Sequence, residues 1–500
     1  MSGGFRSRSA GGDDKRGGAP KKSARPARRA QQGGGRQGPQ GPQGPQGSQQ
    51  RDRRPVERKD TGVDKPRVAA FDVLRRVSED DAFANLTLPK LLKDRKISGR
   101  DAAFATELTY GALRTLGVVD TVIQECSSRP LEQIAPEVLD ALRLGVYQLL
   151  YTRVDDHAAV DTTVRLVEST GNVKAKGFAN AIMRTVTRTP AEKWIEKLTP
   201  VGEIDAIAFR TAHPRWIAES FSRVLGLGEL EEALAADSER PIVHLAARPG
   251  EMTAEELALI TGGEEGAYSP YAVYLESGNP ANLDPVKDGL AAVQDEGSQL
   301  IARAVAEAPV EGADAGRWLD LCAGPGGKAA LMGALARIDG ARVDAVEISD
   351  HRAELIRRAV GDLPVTVHTA DGRDPGLEPG YDRVLVDAPC TGLGALRRRA
   401  EARWRKDEAD VAGLNVLQYE LLSSALRLVR PGGVVVYSTC SPDLRETRAV
   451  VDKAVAELGA TELDAHELVP GMDDVGEDKS VQMWPHRHGT DAMFFAVLRR

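Results

Sequence analysis

The chain has 500 residues, 41% hydrophobic and 28% charged, the balance of a water-soluble globular protein with room for roughly two to four domains. No apolar run reaches the roughly 20 residues that span a bilayer, and the N-terminus MSGGFRSRSAGG lacks the apolar stretch of a secretory leader, so no membrane association and a cytoplasmic location are expected. The net charge of −8 excludes a uniformly basic nucleic-acid binder, but the charge is uneven: about 15 Lys/Arg stand against 5 Asp/Glu through Asp60.

In chain order, residues 1–64 are rich in Gly, Pro, Gln and Arg and carry GPQ three times from Gly38 to Gln46. Such a stretch cannot bury enough apolar surface to fold alone, so a disordered basic tail able to touch phosphates is expected. Residues 65–195 read as helical. RVAAFDVLRRV sets Val68, Phe71, Leu74 and Val77 at helical spacing, and PEVLDALRLGVYQLLY and KGFANAIMRTVTR follow the same period. Residues 196–292 are mixed, with helical HPRWIAESFSRVLG and strand-like PIVHLAARP and YAVYLES, a small α+β domain. From residue 293 to 500 apolar strands alternate with helices: WLDLCAG, RVDAVEIS, VTVHTAD, YDRVLVDAP, GGVVVYSTC and finally FFAVLRR. That alternation predicts a doubly wound, Rossmann-like parallel sheet, whose ligands sit at the carboxyl ends of its strands.

Each candidate motif falls at such an end. After the first strand comes Cys322-Ala323-Gly324-Pro325-Gly326-Gly327-Lys328, a glycine turn that admits a ligand close to the backbone. It is neither GxGxxG nor a P-loop, since Lys328 is followed by Ala329. The second strand ends at Glu347, roughly 20 residues on, placed to accept from ribose hydroxyls. The third ends near Asp371, which could accept from an adenine amino group. Turn, ribose acid and base-edge acid together suit an adenosine moiety, either NAD or S-adenosylmethionine.

The fourth and fifth strands each deliver a cysteine: DAPCTGLG carries Asp387 and Cys390, and YSTCSP carries Cys440. Two thiols at one cleft suit methylation of cytosine at carbon-5. That carbon is too weak a nucleophile until a thiolate adds to carbon-6, and an acid at ring nitrogen-3, for which Asp387 is placed, offsets charge during addition. Hydride transfer has no use for this set, which selects S-adenosylmethionine as cofactor. On residues alone, which thiol attacks stays open. The four cysteines (Cys126 is the fourth) contain no CxxC pair, and His486 and His488 lack a third ligand nearby, so no metal is expected. The cluster Arg397, Arg398, Arg399, Arg403, Arg405 and Lys406, directly after the first thiol motif, is expected to contact RNA phosphates beside a flipped-out base.

CAGPGGK, DAPCTGLG and YSTCS resemble the motifs of the Nop2/Sun group of RNA 5-methylcytosine methyltransferases. QDEGSQL (Gln294 to Leu300) resembles the entry to their catalytic domain, and MWPHRHGTDAMFFAVLRR their C-terminal strand. ELTYGALR and FANAIMR, in their helical setting, resemble a NusB-like RNA-binding domain, a combination similar to the Sun/Fmu type that acts on small-subunit ribosomal RNA. The resemblance spans about residues 66–500. It implies that Cys440 is the nucleophile and that Cys390 assists product release. It further implies that residues 322–328, Glu347 (where relatives often carry Asp), Asp371 and Asp387 bind S-adenosylmethionine. The sequence departs from the pattern at RRRAEARW, Arg397 to Trp404. Transfer RNA as substrate, or a catalytically silent assembly factor, remain alternatives, and a monomer is expected.

Overall fold

A computed structural model describes residues 59–500. The expected basic tail lies, up to residue 58, outside the described residues. Eight helices build the N-terminal domain: α1 (Lys65–Glu79), α2 (Ala84–Asp94), α3 (Gly99–Arg114), α4 (Leu116–Cys126), α5 (Pro136–Tyr151), α6 (Asp156–Ser169), α7 (Lys176–Val186) and α8 (Ala191–Leu198), whose Trp194 joins their core. Asp64 starts α1 by accepting the Arg67 N–H at 3.1 Å, and Pro66 occupies the first turn, where a missing N–H costs nothing. Phe71, Leu74 and Val77 form its buried stripe, meeting Leu108, Val122, Leu142, Val167 and Met183 in one core.

The middle region divides its packing. Its helices Glu203–Arg210, Arg215–Leu225 and Leu230–Ala236 set Ile207, Ile217, Phe221 and Leu234 against Leu393, Leu396 and Trp484 of the C-terminal domain. Its antiparallel sheet, order β2-β3-β1-β4, keeps its own core of Leu245, Ala247, Leu257, Val273 and Leu275. The strands are β1 (Val243–Ala247), β2 (Glu264–Glu265), β3 (Ala272–Leu275) and β4 (Ala291–Val293).

The C-terminal sheet contains β5 (Arg317–Asp320), β6 (Arg342–Glu347), β7 (Val365–Thr369), β8 (Tyr381–Asp387), β9 (Val429–Thr439), β10 (Thr461–Leu463), β11 (Val481–Gln482) and β12 (Phe494–Arg499). Their order is β10-β12-β9-β8-β5-β6-β7, with β11 also on β12. β5 to β9 pair in parallel, and β12 runs antiparallel to β9. Helices Glu296–Glu307 and Gly327–Asp339 cover one face, Ala409–Leu428 and Arg448–Leu458 the other. Burial on both faces is why β8 and β9 read as nearly unbroken apolar runs. The fold is therefore the expected one: an all-α NusB-like domain, a sheet-containing middle and a C-terminal α/β domain. Four short strands, β2 and β4 in the middle sheet and β10 and β11 on β12, are absent from the sequence reading. Among the described residues no helix is long and apolar enough to cross a membrane.

Candidate active site

Because β5 to β9 are parallel, their carboxyl ends share one edge, and the predicted residues gather there. The turn after β5 is fastened on both sides: the Leu321 N–H reaches the Leu385 carbonyl and the Ala323 N–H the Val346 carbonyl, each at 2.9 Å. Gly326 adopts φ +115° and starts the helix Gly327–Asp339. At Gly324 a Cβ would stand 2.1 Å from Glu347 Oε2, so any side chain there would displace the Glu347 carboxylate or Arg352. Glu347 is buried; its Oε1 accepts the Ser349 N–H at 2.9 Å, and Arg352 lies 3.4 Å from Oε2. Asp371 lies two residues past Thr369, the partner of Glu347 in the sheet register. Arg373 holds both its oxygens, the closer at 2.6 Å, which keeps the carboxyl below its ordinary pKa.

Asp320, which the sequence reading passed over, ends β5 fully buried. Burial, with Asp387 nearby, pushes its pKa up to about 7, and its Oδ2 has no partner among the described residues. A buried acceptor without a donor beside a glycine cradle and a ribose-type acid fits S-adenosylmethionine, whose ammonium and hydroxyls are donors. Cys322 is pushed well above the ordinary thiol range, by burial first and Asp320 second, so it is no candidate nucleophile.

The two thiols that sequence separates are in contact. β8 and β9 are neighbours, with Asp387 opposite Ser438, and Cys390 Sγ lies 3.3 Å from Cys440 Sγ. Lys328 donates to Asp387 Oδ2 at 2.8 Å, and the Ser438 hydroxyl donates to Oδ1 at 3.1 Å. The Lys328 side chain is 10% exposed and that of Asp387 28%, so the pair lines a cleft that solvent still reaches. Burial opposes the Lys328 charge, but Asp387 outweighs it and holds the ammonium protonated. The sulfurs are poised oppositely. The hydrogen bond with Cys390 lowers the Cys440 pKa against the opposing effects of burial and Asp387, and the Lys328 charge lowers it further. Cys390 is pushed well above the ordinary value by that same bond and by burial.

The family described as 16S rRNA methyltransferase RsmB/F matches residues 308–499, and the NusB family matches residues 64–188. Ribosomal RNA small subunit methyltransferase B of Salmonella arizonae is 31% identical over 81% of this chain and 95% of its own. The chain belongs to the RsmB/F family. Rv1407 of Mycobacterium tuberculosis, named only provisionally as a methyltransferase, is 56% identical over 88% of this chain and 97% of its own. The fold is shared with the solved structure of PH0851, at TM-score 0.73 and 22% identity, covering 87% of this chain and 99% of that one.

One expectation for this RsmB/F chain is overturned: most of the arginine cluster is not free to meet RNA. Arg403 is fully buried, donating to the carbonyls of Ala212 and Asp237 and to the Ser238 hydroxyl at 2.9–3.0 Å. Arg397 and Arg398 pair with Asp491, and Arg398 also reaches Asp295 at 2.6 Å. Arg405 donates to the carbonyls of Val77, Asp81 and Ala82 in the helical domain. Only Arg399 and Lys406 of the six make no side-chain hydrogen bond or ion pair among the described residues. The segment is a bracket between domains. Trp404 donates to the Leu113 carbonyl at 2.8 Å and covers Gly117, where a Cβ would lie 2.4 Å from its ring. Glu401 accepts the Ala84 N–H, and Ala400 completes the helical core. A basic run reads as a phosphate binder only when its backbone lies at the surface, and here the surrounding Leu393, Leu396 and Trp404 were the available sign that it does not.

Glu446 is the other residue the sequence reading missed. Fully buried, it accepts from the Thr391 N–H and hydroxyl and from Gln418, locking the Cys390 loop to the segment after Cys440. The rings of His486 and His488 are engaged with Glu229, the Trp484 N–H and the Asp473 carbonyl.

Proposed function

We propose that this protein is an S-adenosylmethionine-dependent cytosine-5 methyltransferase of small-subunit ribosomal RNA, with Cys440 as nucleophile. The contact between Cys440 and Cys390, with the Lys328–Asp387 pair beside it, carries the reading. The RsmB/F family match and the NusB-like domain support ribosomal RNA as the substrate class. Residues 322–328, Glu347, Asp371 and Asp387 would hold the cofactor, which when bound supplies a methyl group on a sulfonium.

The chain's own groups do the rest. Cys440, the sulfur held toward thiolate, adds to carbon-6 of a cytosine brought out of its stack. Lys328, whose ammonium Asp387 holds protonated at 2.8 Å, carries the proton that offsets charge on the ring, and Asp387, fixed by Ser438, orients it. Cys390, the sulfur held as thiol, stands 3.3 Å from Cys440 and serves release, when the carbon-5 proton leaves and the carbon–sulfur bond breaks.

Protein incubated with small-subunit ribosomal RNA and methyl-labelled S-adenosylmethionine is expected to yield labelled 5-methylcytidine after digestion. Label in any other nucleoside, or none on either naked RNA or small-subunit particles, overturns the assignment. Because Lys328 lowers the Cys440 pKa, the acidic limb of kcat/KM rises with pH as the thiolate forms. In Lys328→Met that limb moves to higher pH, with the unscreened Asp387 charge acting in the same direction. An unmoved limb in a pH–rate profile would show that another group sets it.

A further inference from the structure

We propose that Cys390 and Cys440 are also a redox modification site, closing into a reversible intramolecular disulfide when the protein meets hydrogen peroxide. The inference stands on geometry independent of methyl transfer; only its consequence for activity rests on the role proposed for Cys440.

The sulfurs are 3.3 Å apart, so closure to a disulfide of about 2.05 Å draws them together by only about 1.2 Å. Both lie past the ends of adjacent strands rather than inside them, and both are partly exposed. Gly392, at φ +74°, lies next to this pair, so the Cys390 loop has a residue that tolerates backbone change. The other two cysteines lack this setting: Cys126 closes α4 in the helical domain, and Cys322 lies in the cofactor turn after β5. A thiolate-prone sulfur with a resolving thiol alongside is the arrangement that favours reversible over terminal oxidation.

The steps balance. The Cys440 thiolate attacks one peroxide oxygen; the O–O bond breaks, and hydroxide leaves and takes up a proton to become water. Cys440 is then a sulfenic acid. The Cys390 sulfur attacks the Cys440 sulfur, the S–O bond breaks, and the departing hydroxide takes the Cys390 proton as a second water. Two electrons pass from the sulfurs to one peroxide, and a dithiol reductant returns them.

The full-length protein, without RNA or cofactor, is treated with hydrogen peroxide, alkylated and digested without reductant for mass spectrometry. The expected product is one cross-linked peptide pair joining Cys390 to Cys440, with titratable thiols falling from four to two and returning to four after dithiothreitol. In Cys390→Ser the same treatment is expected to carry Cys440 to sulfinic and sulfonic acids that dithiothreitol does not reverse. Wild-type protein that gains those acids at Cys440 without the cross-link, or that links either cysteine to Cys322, overturns the proposal. A protein that forms the link yet methylates no cytosine leaves this inference standing and removes the proposed activity instead. If both hold, peroxide stops methyl transfer and dithiothreitol restores it.

Discussion

Replacing Cys390 by alanine is expected to freeze the protein on its RNA. Addition through Cys440 and methylation proceed, but release has lost the thiol that stands 3.3 Å from the Cys440 sulfur, so a covalent protein–RNA species accumulates on a denaturing gel. Cys440→Ala is expected to behave oppositely, losing methyl transfer by at least about a thousandfold and trapping nothing, because no other thiol is held toward its thiolate at the cleft. The double variant should trap nothing either. An adduct in Cys440→Ala would mean that the two sulfurs exchange roles. The asymmetry has a structural source: the Lys328 charge acts on Cys440, and the contact with Cys390 lowers the Cys440 pKa while it raises that of Cys390.

The second large effect lies away from the cleft. Arg403→Met keeps roughly the side-chain volume but strips the hydrogen-bond donors from the Ala212 and Asp237 carbonyls and the Ser238 hydroxyl. Leaving three buried acceptors without their donor costs on the order of 3 kcal/mol, which should lower the urea midpoint of the unfolding transition that includes the middle helices. The loss has a predictable pH dependence. Burial raises the Asp237 pKa to about 7 while Arg403 and Arg397 act to lower it; Asp491 opposes them, and the His213 ring nitrogen lies 3.2 Å away, neutral because burial lowers its own pKa. A carboxyl raised in the folded state stabilises below its unfolded pKa and loses that contribution as pH rises through the folded one. Without Arg403 the Asp237 pKa climbs further, so the deficit should be larger at about pH 8 than at about pH 6. Equal deficits at both, or a total under about 1 kcal/mol, would show that Arg403 does not hold this junction.

Much of the α/β domain was legible because its signals are local. A strand buried on both faces is a run such as VLVD or VVVYST, and a turn that admits a cofactor spells itself in glycine. Parallel pairing then brings Cys390 and Cys440 together without further information. What was illegible depends on which distant backbone a side chain meets. Arg403 and Arg399 are four residues apart and chemically identical, yet one is sealed among carbonyls and the other is exposed. No periodicity in RRRAEARW distinguishes them. Glu446 looks like any loop acid until Thr391 and Gln418 are brought to it. Asp320 reads as one more polar residue at a strand end, and only its burial marks it as an unused acceptor.

The central claim, that Cys440 attacks the base, is tested most directly with small-subunit ribosomal RNA containing 5-fluorocytidine. Fluorine at carbon-5 leaves no proton to remove, so the wild-type enzyme should stall as a covalent adduct after methyl transfer. Nuclease and protease digestion followed by mass spectrometry should then place one modified nucleotide on the peptide containing Cys440. A nucleotide on the Cys390 peptide, or methyl transfer to the RNA without any covalent protein species, would contradict the account.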